Sequence, residues 1–438
     1  MKSKGLLTAS FLLLVLSGMV WWSNKKAATS SKAPAESTTT KLLSVPGDQF
    51  QEIEIRKRDG ETIRLQRFDS KWQIAGPKPL RTDPEAISNL LSSLSSLSSD
   101  RTVEEKATSL DQFGLTRPTI ELSVGDKNNR TVKILMGDQT PAGTAVYAAI
   151  AGDPRVFAIS SYKRNNFDKS TNDLRDRRML VFDADKLSRV ELQSKKQSIE
   201  FGRDKDHWQI VKPSSFRADP SAAEELLRTL RDAKMDLSGT DDERKLAAEF
   251  RSATPFAIVR VSDSSGTQVL EVRKSKDDFY AKSSAAEGVF KLASNIGIGL
   301  DKSLDEFRNK KLFDFGFADP DKLEIHDGSM SYFLSRSNSD WWSNGTKLDN
   351  AGVTTLMAQI RDLTATRFTN SGFTATLLDL TVTSDNGKRT ERVLISKNED
   401  RYLAKREGEP ALYELAASAV SELQKSAADL KPATPAKR

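Results

Sequence analysis

The chain has 438 residues, 29% charged and 37% apolar, with 67 Lys and Arg against 61 Asp and Glu. A net charge of +6, with both signs interleaved along the chain, does not indicate nucleic-acid binding. Cysteine is absent, which excludes disulfides, thiolate metal sites and thiol nucleophiles and leaves burial to supply stability.

Lys2 and Lys4 precede an apolar run from Gly5 to Trp22, and Lys25-Lys26 follow it. A helix over that run would be about 27 Å long, enough to cross a hydrocarbon core. Trp21 and Trp22 would then sit at headgroup level. A cleaved signal peptide is the competing reading, but the two tryptophans and two lysines occupy the region where small residues should mark the cut. Leu16-Ser17-Gly18 begins like a lipoprotein box, yet Met19 stands where the lipidated Cys would be. Residues 1–24 therefore read as an uncleaved signal anchor with the body outside the cytoplasm. Residues 25–47, rich in Ala, Ser, Thr, Lys and Pro, read as a flexible linker, and residues 431–438 as a disordered tail.

The body repeats itself. Trp72-Gln73-Ile74 returns as Trp208-Gln209-Ile210, and Arg81-Thr82-Asp83-Pro84 as Arg217-Ala218-Asp219-Pro220, more loosely as Lys347-Leu348-Asp349-Asn350. Lys169-Ser170 with Asp173-Leu174-Arg175 returns as Lys302-Ser303 with Glu306-Phe307-Arg308, and again as Lys425-Ser426 with Asp429-Leu430-Lys431. Three tandem repeats follow, over 48–183, 184–316 and 317–430, with boundaries near Phe182 and Phe315.

Each repeat opens with a hairpin. In the first copy Ile53-Glu54-Ile55 alternates, Asp59-Gly60 turns, and Thr62-Ile63-Arg64-Leu65 returns, before a third strand carrying Trp72 and Ile74. A helix then starts with Asp83 as N-cap and Pro84 at its first position, which satisfies orphan N–H groups and presets φ. Ile87, Leu90, Leu91, Leu94 and Leu97 form its apolar stripe. The second copy offers Ala223, Leu226, Leu227, Leu230 and Ala233, and the third Val353, Leu356, Met357, Ile360 and Leu363.

A run of strands follows each helix: 119–124, 131–135, 146–148 and 156–159 in the first copy, with counterparts at 257–261, 279–281 and 289–292 and at 378–382, 402–404 and 412–415. Short turns between them indicate antiparallel meanders. The predicted fold class is α+β: each repeat is a mostly antiparallel sheet covered by one main helix, behind an N-terminal transmembrane helix.

Gly137-Asp138-Gln139-Thr140-Pro141-Ala142-Gly143, running into Val146-Tyr147-Ala148 and on to Leu174-Arg175-Asp176-Arg177-Arg178, resembles the bacterial domain-of-unknown-function family 4340. The resemblance covers the first repeat well and the second partly, through Phe279-Tyr280-Ala281-Lys282 and Phe307-Arg308-Asn309-Lys310-Lys311; the third lacks the Gly-Asp-x-Thr-Pro turn. It implies a membrane-anchored extracytoplasmic protein, often a neighbour of ABC transporters resembling the gliding-motility type. It implies no established activity and no catalytic residues.

The candidate sites have structural readings beside their functional ones. The loop 137–143 lacks the lysine and spacing of a phosphate loop and reads as a tight strand connection. Gly297-Ile298-Gly299 reads as an ordinary turn. Ser170, Ser303 and Ser426, each followed three positions on by a carboxylate, read as capping boxes. Arg175, Arg177, Arg178, Arg308, Lys310 and Lys311 form the candidate surface for an anionic partner or lipid headgroup, against the plainer reading of a solvated or salt-bridged helix end. Trp72, Trp208 and one of Trp341 or Trp342 read as core packing rather than sugar platforms. His207 and His326 lack companions for a metal site, and no hydrolase motif stands out. No cofactor is expected. The functional expectation is a non-enzymatic accessory or scaffold of an envelope complex, with ABC transporter subunits as partners; the alternative is an envelope lipid- or glycan-binding module.

Overall fold

The computed structural model describes residues 39–434 except 195, 196, 206, 240, 241 and 317. The expected membrane helix over 5–22 lies outside the described residues; among those described, no helix is long and apolar enough to cross a membrane. The chain divides into two compact units between Arg177 and Arg178.

The first unit contains one sheet. Its elements are β1 (Phe50–Lys57), β2 (Thr62–Phe68), β3 (Lys71–Ala75), β4 (Leu80–Arg81), α1 (Pro84–Ser95), β5 (Arg101–Glu104), β6 (Ile120–Asp126), β7 (Thr131–Gln139), β8 (Ala145–Ile150), β9 (Val156–Ser160), α2 (Ser161–Asn165) and α3 (Thr171–Leu174). The strand order is β4-β3-β2-β1-β6-β7-β8-β9-β5, antiparallel throughout. Asp83 caps α1 by accepting the N–H groups of Glu85 and Ala86, with Pro84 at the first turn. Ile87, Leu90, Leu94 and Leu97 are buried against the sheet's Ile53, Ile55 and Leu122 side, while Leu91 stays half-exposed at the rim.

The second unit holds two sheets. One comprises β10 (Arg189–Ser194), β11 (Ser198–Asp204), β12 (His207–Lys212), β13 (Phe216–Arg217), α4 (Pro220–Arg231), α5 (Glu243–Ser252), β14 (Thr254–Asp263), β15 (Gly266–Ser275), β16 (Asp278–Ser283), β17 (Ala286–Leu292), α6 (Ser294–Gly299) and α7 (Leu304–Phe307). The other comprises β18 (Lys322–Asp327), β19 (Met330–Ser337), β20 (Asp340–Ser343), β21 (Thr346–Lys347), α8 (Asn350–Asp362), β22 (Arg367–Thr369), β23 (Thr376–Ser384), β24 (Arg389–Asn398), β25 (Arg401–Arg406), β26 (Leu412–Leu415) and α9 (Ala417–Ala428). Their orders, β13-β12-β11-β10-β14-β15-β16-β17 and β21-β20-β19-β18-β23-β24-β25-β26-β22, match the first sheet strand for strand, except that the second sheet has only the Asp236–Lys291 bridge where β5 and β22 stand. The apolar stripes of α4 and α8 are buried as expected. The observed class is α+β, with three antiparallel sheets.

Equivalent hydrogen bonds fix the correspondence. Each sheet begins with an apolar pair whose first N–H donates to the carbonyl just past the main helix: Leu42 to Leu97 (3.0 Å), Met179 to Ala233 (2.8 Å) and Leu312 to Leu363 (2.9 Å). Leu42-Leu43, Met179-Leu180 and Leu312-Phe313 are all buried in the core of the sheet that follows them. This corrects the expected boundaries. Residues 42–47 belong to a packed start rather than a free linker, and 179–183 and 312–316 belong to the following sheet. Periodicity hides these starts because an apolar run of two to four residues is too short to show alternation or a helical stripe.

Three further differences have local causes. The capping boxes form at Ser170–Asp173 and Ser303–Glu306, but Ser426 lies inside α9, and Asp429 is its C-cap. Val420, Leu423 and Ala427 give that segment one buried stripe, so a single helix replaces the pair of short helices seen twice before. Residues 431–433 are paired rather than frayed, through Asp349 N–H to the Lys431 carbonyl (2.8 Å), a Leu348–Pro432 bridge and Ala433 N–H to the Lys347 carbonyl (2.9 Å). Gly297-Ile298-Gly299 is not a plain turn but part of α6, where a Cβ at Gly297 would collide with the Phe279 ring.

The tryptophans also become assignable. Trp72, Trp208 and Trp341 each pair across the hairpin with an arginine, Arg67, Arg203 and Arg336, so Trp341 rather than Trp342 is the third copy. Trp341 is buried, whereas Trp72 and Trp208 are half-buried against their cores.

Candidate functional site

The Arg-x-Asp-Pro element places one cation at a defined point. Asp219 and Pro220 start α4, and the two residues before Ala218 form β13, an edge strand that sets Arg217 opposite Gln209. The basic segment after α7 is strapped along this edge: Asp219 N–H donates to the Phe307 carbonyl (2.8 Å), Ala218 bridges Arg308, and Asn309 N–H donates to the Arg217 carbonyl (2.9 Å). Leu312 then leads into the next sheet. The same strap holds Arg81, Thr82 and Asp83 against Leu174, Arg175 and Asp176 in the first unit.

Within the second unit the strap brings charges from 200-odd and 400-odd positions together. Arg217 pairs with Asp314, lies 2.9 Å from Glu409, reaches the Tyr413 hydroxyl at 3.3 Å and donates to the Lys311 carbonyl. Tyr413 donates to Glu409 at 2.6 Å. Arg406 contacts Glu409 (2.8 Å) and Glu391 (3.1 Å) and donates to the Leu312 carbonyl, while the Asp314 N–H donates to Glu391 at 3.0 Å. Arg389 lies 3.3 Å from Glu391. Arg217, Arg389 and Arg406 thus face Asp314, Glu391 and Glu409, so this seam between the two sheets is charge-balanced. Burial works against the Arg217 charge, but Asp314, Tyr413 and Glu409 outweigh it and hold the guanidinium above its ordinary value. Burial pushes the Tyr413 hydroxyl up, Arg217 opposes, and the hydrogen bond to Glu409 adds to the rise.

Arg308 takes a different part. Its guanidinium carbon stands 4.1 Å from the Phe216 ring centroid and 3.5 Å from that of Phe368, and the residue is only 8% exposed. Asp305 neutralises it at 3.1 Å. It cannot belong to an exposed anion-binding surface, because aromatic rings from two sheets enclose it. The other expected residues scatter. Arg177 and Lys311 are exposed; Arg175, Arg178 and Lys310 are half-buried. Arg175, Arg178 and Lys311 serve as backbone bridges to Thr82, Lys234 and Thr364. Arg308 could have been recognised as different, since its segment is bracketed by Phe307 and the apolar pair Leu312-Phe313. Arg217 had a signal too: it recurs with Arg81 beside a cap that does not need it. Glu391, Arg406, Glu409 and Tyr413 had none.

Beside the seam lies a cleft of about 520 Å³. His207, Trp208 and Gln209 form one wall, Ala218, Pro220 and Glu224 another, and Arg217, Asn309, Asp314 and Arg389 close the far side. Asn309 is 7% exposed and donates its amide to Asp314 at 3.3 Å. Of the expected strand connection over 137–143, residues 137–139 continue β7, and the tight turn itself runs over 140–144, with Gly143 N–H donating to the Thr140 carbonyl and Thr140 N–H to that of Ala145. Gly137 lets β7 pass the turn over 111–113, because a Cβ there would strike the Phe113 carbonyl.

Fold and seam together define an α+β protein of three like-ordered antiparallel sheets, with a charged junction between its second and third. Its sequence matches the family described as Domain of unknown function (DUF4340) over residues 72–209 and again over 208–379, and the chain belongs to that family. The two matches start at Trp72 and at His207-Trp208's tryptophan, so each begins on the third strand of a sheet. No curated protein matches the sequence.

Proposed function

We propose that the protein is a membrane-anchored extracytoplasmic accessory or scaffold of an envelope complex, working by binding and positioning rather than by catalysis. An ABC transporter is the expected partner. The observation that carries this reading is the seam. Three arginines and three carboxylates, with Arg308 held between two rings, tie the second and third sheets into one body. A fixed relation between successive like units suits the display of a surface at a set distance. The apolar run from Gly5 to Trp22 would supply the anchor.

The test is affinity purification of the full chain from gently solubilised membranes. Recovery with subunits of a membrane transporter is expected. Recovery from the soluble fraction, or from membranes without a membrane-protein partner, contradicts the proposal.

A further inference from the structure

We propose that a cleft at one end of the second sheet binds a free α-amino acid, with its ammonium at Asp301 and its carboxylate at Lys274 and Lys276. This does not depend on the anchoring role, and the cleft shares no lining residue with the seam.

The three copies differ at one place. Lys57, Ser194 and Asp327 end the first strand of their sheets, opposite Ile120, Ala257 and Leu378. Asp168, Asp301 and Gln424 each stand two positions before the serine of the Lys-Ser element. In the first copy these positions meet as an ion pair, Lys57 to Asp168 at 2.9 Å, and Arg164 adds a second contact at 2.9 Å. In the third they meet through Gln424, whose amide donates to both carboxylate oxygens of Asp327 at 3.0 Å. The second copy has Ser194 in place of the lysine. Four positions before Asp301, where the first copy has Arg164, stands Gly297, and the Phe279 ring takes the room of a side chain there. Asp301 is left with neither partner.

Ser194 and Asp301 instead line a cleft of about 410 Å³, within the roughly 300–1,000 Å³ of small-molecule sites. Lys274, Lys276 and Thr254 line it with them. Among the described residues, Asp301, Lys274 and Lys276 form no ion pair and the Thr254 hydroxyl has no hydrogen-bond partner; Lys274 only stands over the Phe279 ring, 5.2 Å from its centroid. Thr254 lies directly opposite Lys274 in the strand pairing, so both side chains leave the sheet on one face.

Charge selects the ligand. Asp301 calls for a cation, as Asp168 has in Lys57, and the two lysines call for an anion. A phosphate or a plain carboxylate would satisfy the lysines but meet Asp301 as a like charge, and a polyamine would do the reverse. An α-amino acid carries both charges on one carbon. Pro255 and Phe256 complete the lining and offer apolar surface to its side chain.

The experiment titrates the full chain with glycine, leucine and glutamate by calorimetry, beside acetate, ethylamine and inorganic phosphate. Saturable binding of at least one amino acid is expected, about tenfold or more tighter than acetate, ethylamine or phosphate. Asp301→Asn, at an exposed side chain that holds no core packing, and Lys274→Met should each weaken it by about tenfold or more. Ser194→Lys rebuilds the pair of the first copy and should abolish binding. Three results would overturn the proposal: no saturable binding of any amino acid, binding of acetate or phosphate as tight as that of the amino acids and unchanged by Asp301→Asn, or amino-acid binding that all three variants leave intact.

Discussion

The guanidinium of Arg308 stands 3.5 Å from the ring centroid of Phe368, a residue of the neighbouring sheet sixty positions further along the chain. With Phe216 on its other face, the cation is a rivet between two sheets rather than a surface charge. Arg308→Ala should therefore destabilise the second unit by ~2–4 kcal/mol, the sum of two desolvated cation–π contacts and the packing they hold. Arg308→Lys should recover only part, since a point charge cannot lie flat between two rings. Urea denaturation of the full chain reads both, and equal stability of all three proteins would refute the rivet.

Arg217 and Glu409 test the charged half of the seam. The Arg217 side chain is 19% exposed and the Glu409 side chain 20%, so each leaves a largely buried partner charge when removed alone. Either alanine variant should cost roughly 3 kcal/mol, and the double variant clearly less than the sum. A double-mutant cycle with no coupling would contradict the pairing.

Tyr413 gives the seam a pH signature. Burial, reinforced by the hydrogen bond to Glu409, raises its hydroxyl above the ordinary 10.0. The folded state thus favours the neutral phenol. That contribution is fully present below the unfolded value and is lost as pH rises through the raised folded value. The stability gap between the protein and its Tyr413→Phe variant should hold steady to about pH 10 and close above it. A gap that closes well below that pH would contradict the assignment.

The three serine-carboxylate elements separate pattern from structure. Ser170→Ala and Ser303→Ala each remove a formed capping box and should cost about 1 kcal/mol. Ser426→Ala changes a residue inside α9 and should be neutral to slightly stabilising, within about 0.5 kcal/mol. Thermal unfolding of the three variants decides. A loss at Ser426 equal to the other two would mean that the third capping box forms after all.

Much of this fold is legible in the residues, and the reason is local. The stripes at Ile87, Leu226 and Leu356, and the caps at Asp83, Asp219 and Asp349, act within a few positions of themselves, so periodicity and spacing reveal them. The seam acts over long separations. Nothing near Arg217 in the chain announces Glu409 or Tyr413, and Arg308 looks like its exposed neighbour Lys311 until Phe216 and Phe368 are brought around it. The continuous α9 escaped notice because Lys425-Ser426 repeats the letters of Lys302-Ser303 inside a different apolar stripe.

Amide hydrogen exchange at Leu42, Met179 and Leu312 tests the repeated unit most directly, because each N–H begins a sheet by the same bond to the carbonyl past its main helix. Three copies of one unit require strong protection at all three, including Leu42, which sits where composition alone reads a tether. Rapid exchange at Leu42 beside protection at Met179 and Leu312 would contradict it.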